Sequence, residues 1–71
     1  MRREHVESSA ISSVGYDAKA RTLEVEFSSG AVYKYRGVPP GIYRSLMNAS
    51  SKGQFVSRRV RDRFPFTRIE H

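Results

Sequence analysis

Tyr33-Lys34-Tyr35 and the stretch from Lys52 to Arg68 hold the side chains of this 71-residue chain best suited to chemistry. Aromatic rings stack on nucleobases, and guanidinium groups grip phosphate as planar, permanently charged forks. Lys52, Arg58, Arg59, Arg61, Arg63 and Arg68 crowd into the last third of the sequence. Material for catalysis is thinner. The only histidines, His5 and His71, stand at opposite ends, in segments expected to be mobile, whereas acid–base work needs held geometry. There is no cysteine to act as nucleophile or metal ligand. No H-x-x-x-H pair, paired-carboxylate spacing or glycine-rich phosphate loop occurs. The residues therefore predict a protein that is not an enzyme and uses no cofactor and no metal.

The net charge of +6 is unevenly spread. Residues 1–27 carry four basic and five acidic side chains, a net of −1, while residues 34–71 carry nine basic and two acidic ones, a net of +7. Such a field draws polyanions, whether RNA, DNA or an acidic protein. No run approaches the ~20 apolar residues of a membrane helix, and no signal-peptide pattern appears, so no membrane association and a cytoplasmic location are expected. A chain this short buries only about 60% of its unfolded surface, so its core must come from ordinary aliphatic and aromatic packing.

The elements that position these residues follow from periodicity. Residues 1–9 are polar, without an apolar period, and are expected to form a flexible segment ahead of a single domain over residues 10–71. A short strand starts near Ile11, where Val14 and Tyr16 alternate. Asp17 suits a turn, because its carboxylate can accept from backbone amides just ahead. In Thr22-Leu23-Glu24-Val25-Glu26-Phe27 the apolar residues alternate with glutamates, the clearest strand in the chain. Ser28-Ser29-Gly30 closes a three-residue hairpin loop with glycine at the left-handed position. That register sets Phe27 opposite Ala31, Val25 opposite Tyr33 and Leu23 opposite Tyr35. One face is then apolar and aromatic; the other sets Glu24 across from Lys34, with Glu26 diagonal to it.

Val38-Pro39-Pro40-Gly41 ends the sheet and opens a helix. Ile42, Tyr43, Leu46 and Met47 share one face of that helix, which stops near Asn48-Ala49. Ser51 and Gln54 form a capping box for a second helix with Phe55, Val56 and Val60 inside. This helix frays near Arg63, since Pro65 disfavours helix at Phe64. The tail from Phe64 to His71 is extended and folds back to pack. The predicted class is α+β: a three-stranded antiparallel meander followed by two short helices on one face, β-β-β-α-α.

Together, Val14-Gly15-Tyr16-Asp17, Leu23-Glu24-Val25-Glu26-Phe27, Gly30, Tyr33-Lys34-Tyr35, Val38-Pro39, Ser51-Lys52-Gly53 and Val60-Arg61 resemble the KTSC domain. The resemblance spans residues 9–69, and Tyr-x-Tyr is its hallmark. It implies a small module found alone in bacteria and phage and at the C-terminus of some lysyl-tRNA synthetases. That fusion implies contact with RNA.

At roughly 100° per residue, Arg58 and Arg61 fall on the outer face of the second helix. With Lys52, Arg63 and Arg68 they would hold RNA, or less favourably DNA, by phosphate contacts rather than base reading; the alternative is a solvated face. Arg59 falls inside the apolar arc, where its stem packs or its head stacks on an aromatic ring. Tyr33 and Tyr35 are either a stacking platform for bases or part of the core, and the scarcity of other core material favours burial. A protein partner, docking on Phe64 and Phe66 or an exposed strand edge, is the second reading.

Overall fold

Strand alternation builds an antiparallel sheet whose strands follow chain order: β1 (Arg3–His5), β2 (Ile11–Asp17), β3 (Thr22–Phe27), β4 (Val32–Arg36) and β5 (Phe66–Ile69). Between β4 and β5 lie α1 (Pro40–Asn48) and α2 (Lys52–Phe55), the latter running straight into a π-helical turn, Val56–Val60. This computed structural model describes residues 3–69. The α+β class and strands-before-helices order agree with the sequence, but the sheet has five strands rather than three. The two extra strands are the edges. β1 is three residues long and carries only charged or polar side chains, so it has no apolar alternation to read. Charged, short edges of this kind also resist unwanted pairing. β5 is four residues long and follows Pro65 directly; its backbone pairs with β4, with Tyr33 opposite Arg68 and Tyr35 opposite Phe66.

The segment expected to be flexible is thus partly structural. Arg3, Glu4 and His5 pair with Gly15, Val14 and Ser13, and Val6 is buried in the core. Met1 and Arg2 lie outside the described residues, as do Glu70 and His71.

The central hairpin has the expected register: Leu23 opposite Tyr35, Glu24 opposite Lys34 and Val25 opposite Tyr33. The Phe27 amide donates to the Ala31 carbonyl at 2.8 Å across the loop. Gly30, at φ +97°, takes the left-handed position that would strain any residue with a Cβ. At the preceding turn, the Asp17 carboxylate accepts from the amides of Lys19 and Ala20 at 3.0 and 3.2 Å.

Both helices cover one sheet face. Ile11, Val14, Leu23, Val25 and Tyr35 meet Val38, Leu46, Val56 and Val60 in the core. Ile42, Tyr43 and Met47, the predicted α1 stripe, pack half-buried around it. Tyr43 stacks on Tyr16 with centroids 4.8 Å apart and rings 9° from parallel, and the Tyr16 hydroxyl donates to the Val38 carbonyl at 2.6 Å. The stack fixes α1 against β2, and such a pair stabilises by about 0.5–1.5 kcal/mol beyond its buried area. Ser51 caps α2 by accepting from the Gln54 amide at 3.4 Å. No helix among the described residues is long and apolar enough to cross a membrane.

The opposite face has no helix over it. By register, Arg3, Gly15, Glu24, Lys34 and Thr67 form one row across it. Glu24 pairs with Arg3, the only ion pair among the described residues, and Glu26 accepts from the Ser13 hydroxyl at 2.8 Å. The expected Glu24–Lys34 opposition is correct in register. The carboxylate, however, turns to the cation on β1, a strand whose charges give no sign of pairing.

Candidate nucleic-acid interface

The hallmark tyrosines divide their roles. Tyr35 is 1% exposed and belongs to the core, as the shortage of apolar residues requires. Tyr33 is half-buried at the edge of that core. Phe66 stacks on Tyr33 with centroids 5.1 Å apart, and Phe27 meets it edge-on at 5.5 Å. Phe66 itself stays 50% exposed, so the aromatic cluster ends in an open ring at the β5 edge. The sequence places Phe66 in a packing tail; pairing of that tail with β4 puts Phe66 and Arg68, two residues apart, on the Tyr33 face.

A groove of about 370 Å³ opens between the β3–β4 loop and the π-helical turn, lined by Phe27, Tyr33, Tyr35, Ser57 and Arg61 among others. A second groove, of about 430 Å³, shares Ala10, Phe27 and Ser57 with it and is also lined by Arg58. The two adjoin along these shared residues, Arg61 lining the first and Arg58 the second, and together are called the furrow. Neither Phe27 nor Ser57 was singled out for a site from sequence, because nothing in the local pattern ties the loop to the helix.

The π-helical turn decides where Arg61 goes. The Arg61 amide donates to the Val56 carbonyl at 2.8 Å, five residues back. In an α-helix, Arg61 would lie roughly 140° around the axis from Val56. The wider turn draws it beneath Val56 and toward the tyrosines. The expected outer-face position for Arg61 is therefore corrected: it borders the furrow.

The other predicted cations are scattered. Arg63 is exposed in the turn after the π-helical residues, and Arg68 is exposed on β5 opposite Tyr33. Arg58, Arg61, Arg63 and Arg68 have no carboxylate within ion-pair distance among the described residues. Lys52 is engaged differently, its ammonium donating to the Ala49 carbonyl at 3.1 Å, where it satisfies the end of α1. Arg59 lies over the Phe55 ring at 5.6 Å, the second of the two placements expected of it.

Electrostatics in the furrow centre on Tyr35. Burial raises its phenol above the ordinary value of 10.0, neighbouring Tyr33 adds to the rise, and Arg61 opposes it. Among the described residues, no group of three or more His, Asp or Glu gathers as metal ligands would. His5 is exposed on β1 and His71 lies outside the described residues.

Several known proteins are similar to this chain. An uncharacterized protein of Stutzerimonas stutzeri is 48% identical over 58 residues, 82% of each chain. A lysine–tRNA ligase of Nostoc punctiforme is 41% identical over 63 residues, which is 89% of this chain but 11% of the ligase. The crystal structure of a KTSC domain protein from Yersinia pestis matches with a TM-score of 0.94 and 38% identity, covering 97% of both chains. With residues 7–64 also matching the KTSC domain model, this chain belongs to the KTSC domain family.

Proposed function

We propose that the chain is a non-catalytic nucleic-acid-binding module, with RNA preferred to DNA. The observation that carries this reading is the set of four exposed arginines, Arg58, Arg61, Arg63 and Arg68, without carboxylate partners among the described residues, two of them lining an aromatic furrow. Unneutralised guanidinium groups beside aromatic rings suit a strand of phosphates and bases better than they suit solvent alone. Lys52 contributes less than the arginines, because its ammonium already serves Ala49. The lysine–tRNA ligase relative acts, by its name, on an RNA, which favours RNA over DNA here.

The test is a salt titration of binding to random-sequence RNA, single-stranded DNA and duplex DNA. RNA affinity that falls steeply with salt supports the proposal; absence of binding at low salt defeats it. A protein-interaction module is the second reading, favoured by the exposed ring of Phe66 on an edge strand. Its sign is one protein partner retained after nuclease treatment and high salt and lost on Phe66→Ser.

A further inference from the structure

The furrow has a feature that general phosphate binding does not use. Tyr35 is 1% exposed, yet its hydroxyl forms no hydrogen bond among the described residues, in contrast with Tyr16, whose hydroxyl is held by Val38. No fully buried side-chain oxygen or nitrogen there lacks a partner. The accessible remnant of Tyr35 must therefore include its hydroxyl, and Tyr35 lines the groove. A buried ring thus directs an unsatisfied donor and acceptor into a cavity. Such a group has its hydrogen bond to gain from whatever enters.

The residues that line the cavity with Tyr35 include the aromatic Phe27 and Tyr33, the hydroxyl-bearing Ser57 and the cationic Arg61. Its volume of about 370 Å³ lies within the range of small-ligand pockets, roughly 300–1,000 Å³. An entrant matching this lining has a flat ring with hydrogen-bonding edges and an anion a short reach away. We infer that the groove binds one unpaired nucleotide, its base against Phe27 and Tyr33 and hydrogen-bonded to the Tyr35 hydroxyl, its phosphate on Arg61. The second groove continues the path, so the next phosphate along a single strand meets Arg58. A duplex keeps its bases stacked inside and cannot fill the cavity. This inference rests on the nucleic-acid reading above and adds to it a preference for unpaired RNA.

The test compares a single-stranded RNA 10-mer with its duplex, together with the mononucleotides UMP and AMP, followed by affinity and by NMR shifts. Wild type favours the single strand over the duplex by about tenfold, one good stacking and hydrogen-bonding contact. Tyr35→Phe keeps the ring and removes only the oxygen; it reduces that preference at least about threefold and leaves the duplex affinity unchanged. Arg58→Ala weakens both forms. UMP or AMP shifts the Tyr33, Ser57 and Arg61 signals, and Tyr35→Phe weakens the mononucleotide. Equal affinity for single strand and duplex, with Tyr35→Phe silent, overturns the groove while leaving phosphate binding intact. Mononucleotide shifts at these residues without RNA binding support the groove and defeat the nucleic-acid module. No shift and no RNA binding defeat both.

Discussion

Replacing Arg58, Arg61 and Arg63 together by alanine separates phosphate binding from decoration of a solvated surface. Six cations stand between Lys52 and Arg68, but two have duties within the chain: Lys52 serves Ala49 and Arg59 lies over Phe55. Four guanidinium groups remain to meet phosphates. Each phosphate neutralised on a single strand adds about −0.7 to the slope of log K against log salt, so four give about −2.8. Raising salt from about 50 to about 200 mM should then weaken wild-type binding about 50-fold. The triple variant retains Arg68 alone; its slope should be about −0.7, and the same change of salt should cost about threefold.

Fluorescence anisotropy on a labelled single-stranded RNA reads both slopes. The three side chains are exposed and make no ion pair among the described residues, so the urea midpoint should move by no more than about 0.5 kcal/mol equivalent. Arg36→Ala is the control. Arg36 lies by register in the row of Thr22 and donates to the Thr67 hydroxyl at 3.2 Å on the helix-free face, so its loss should not alter the slope. A triple variant that folds and keeps the wild-type slope would refute the reasoning.

Three further perturbations probe the scaffold. The Tyr35 phenol sits above its ordinary value of 10.0, from burial first and Tyr33 second. The unfolded chain therefore loses this proton before the folded one does, so the stability it contributes is complete below pH 10.0 and is lost as pH rises through the folded value; urea midpoints from pH 8 upward should decline less in Tyr35→Phe. A Cβ on Gly53 would stand 3.0 Å from the Ala10 Cβ, so Gly53→Ala with Ala10→Gly should be more stable than the sum of the two single changes by at least about 0.5 kcal/mol, and additive midpoints would show that the helix simply shifts. Arg21 holds φ +51° in the β2–β3 turn. Arg21→Gly trades about 1–2 kcal/mol of left-handed strain against about 0.5–1 kcal/mol of chain entropy and should stabilise by about 0.5 kcal/mol, a gain that calorimetry would detect.

Legibility in the sequence followed how local each cause was. The β3–β4 hairpin could be read through to its register because strict alternation, a three-residue loop and Gly30 all demand the same pairing. The Ser51 cap, the Asp17 turn and the stacking of Arg59 on Phe55 depend on neighbours at most four residues apart and were equally accessible. β1 and β5 were not. Their side chains alternate weakly or not at all, and backbone pairing with β2 and β4 holds them rather than any pattern of their own. Missing β1 also led to the wrong partner for Glu24, since Lys34 was the nearest cation that a three-stranded sheet provided. At the site, the membership of Tyr35 in the core was legible from the shortage of apolar residues. The furrow was not, because it joins Ala10, Phe27 and Ser57 from three separate segments.

The π-helical turn is where core packing and the candidate site meet. Val56 and Val60 are four residues apart and would share the inner face of an ordinary α-helix. Both are buried, at 2% and 0% exposure. Sharing an inner face does not by itself call for the i→i+5 bond, in which the Arg61 amide donates to the Val56 carbonyl. The furrow gains its cation at this turn, where Arg61 lines the groove together with Tyr33 and Tyr35. A π-helical turn is rare and is frequently found at functional sites. Its place here, ending at an arginine that lines the same cavity as Tyr35, ties the turn to that surface as well as to the core.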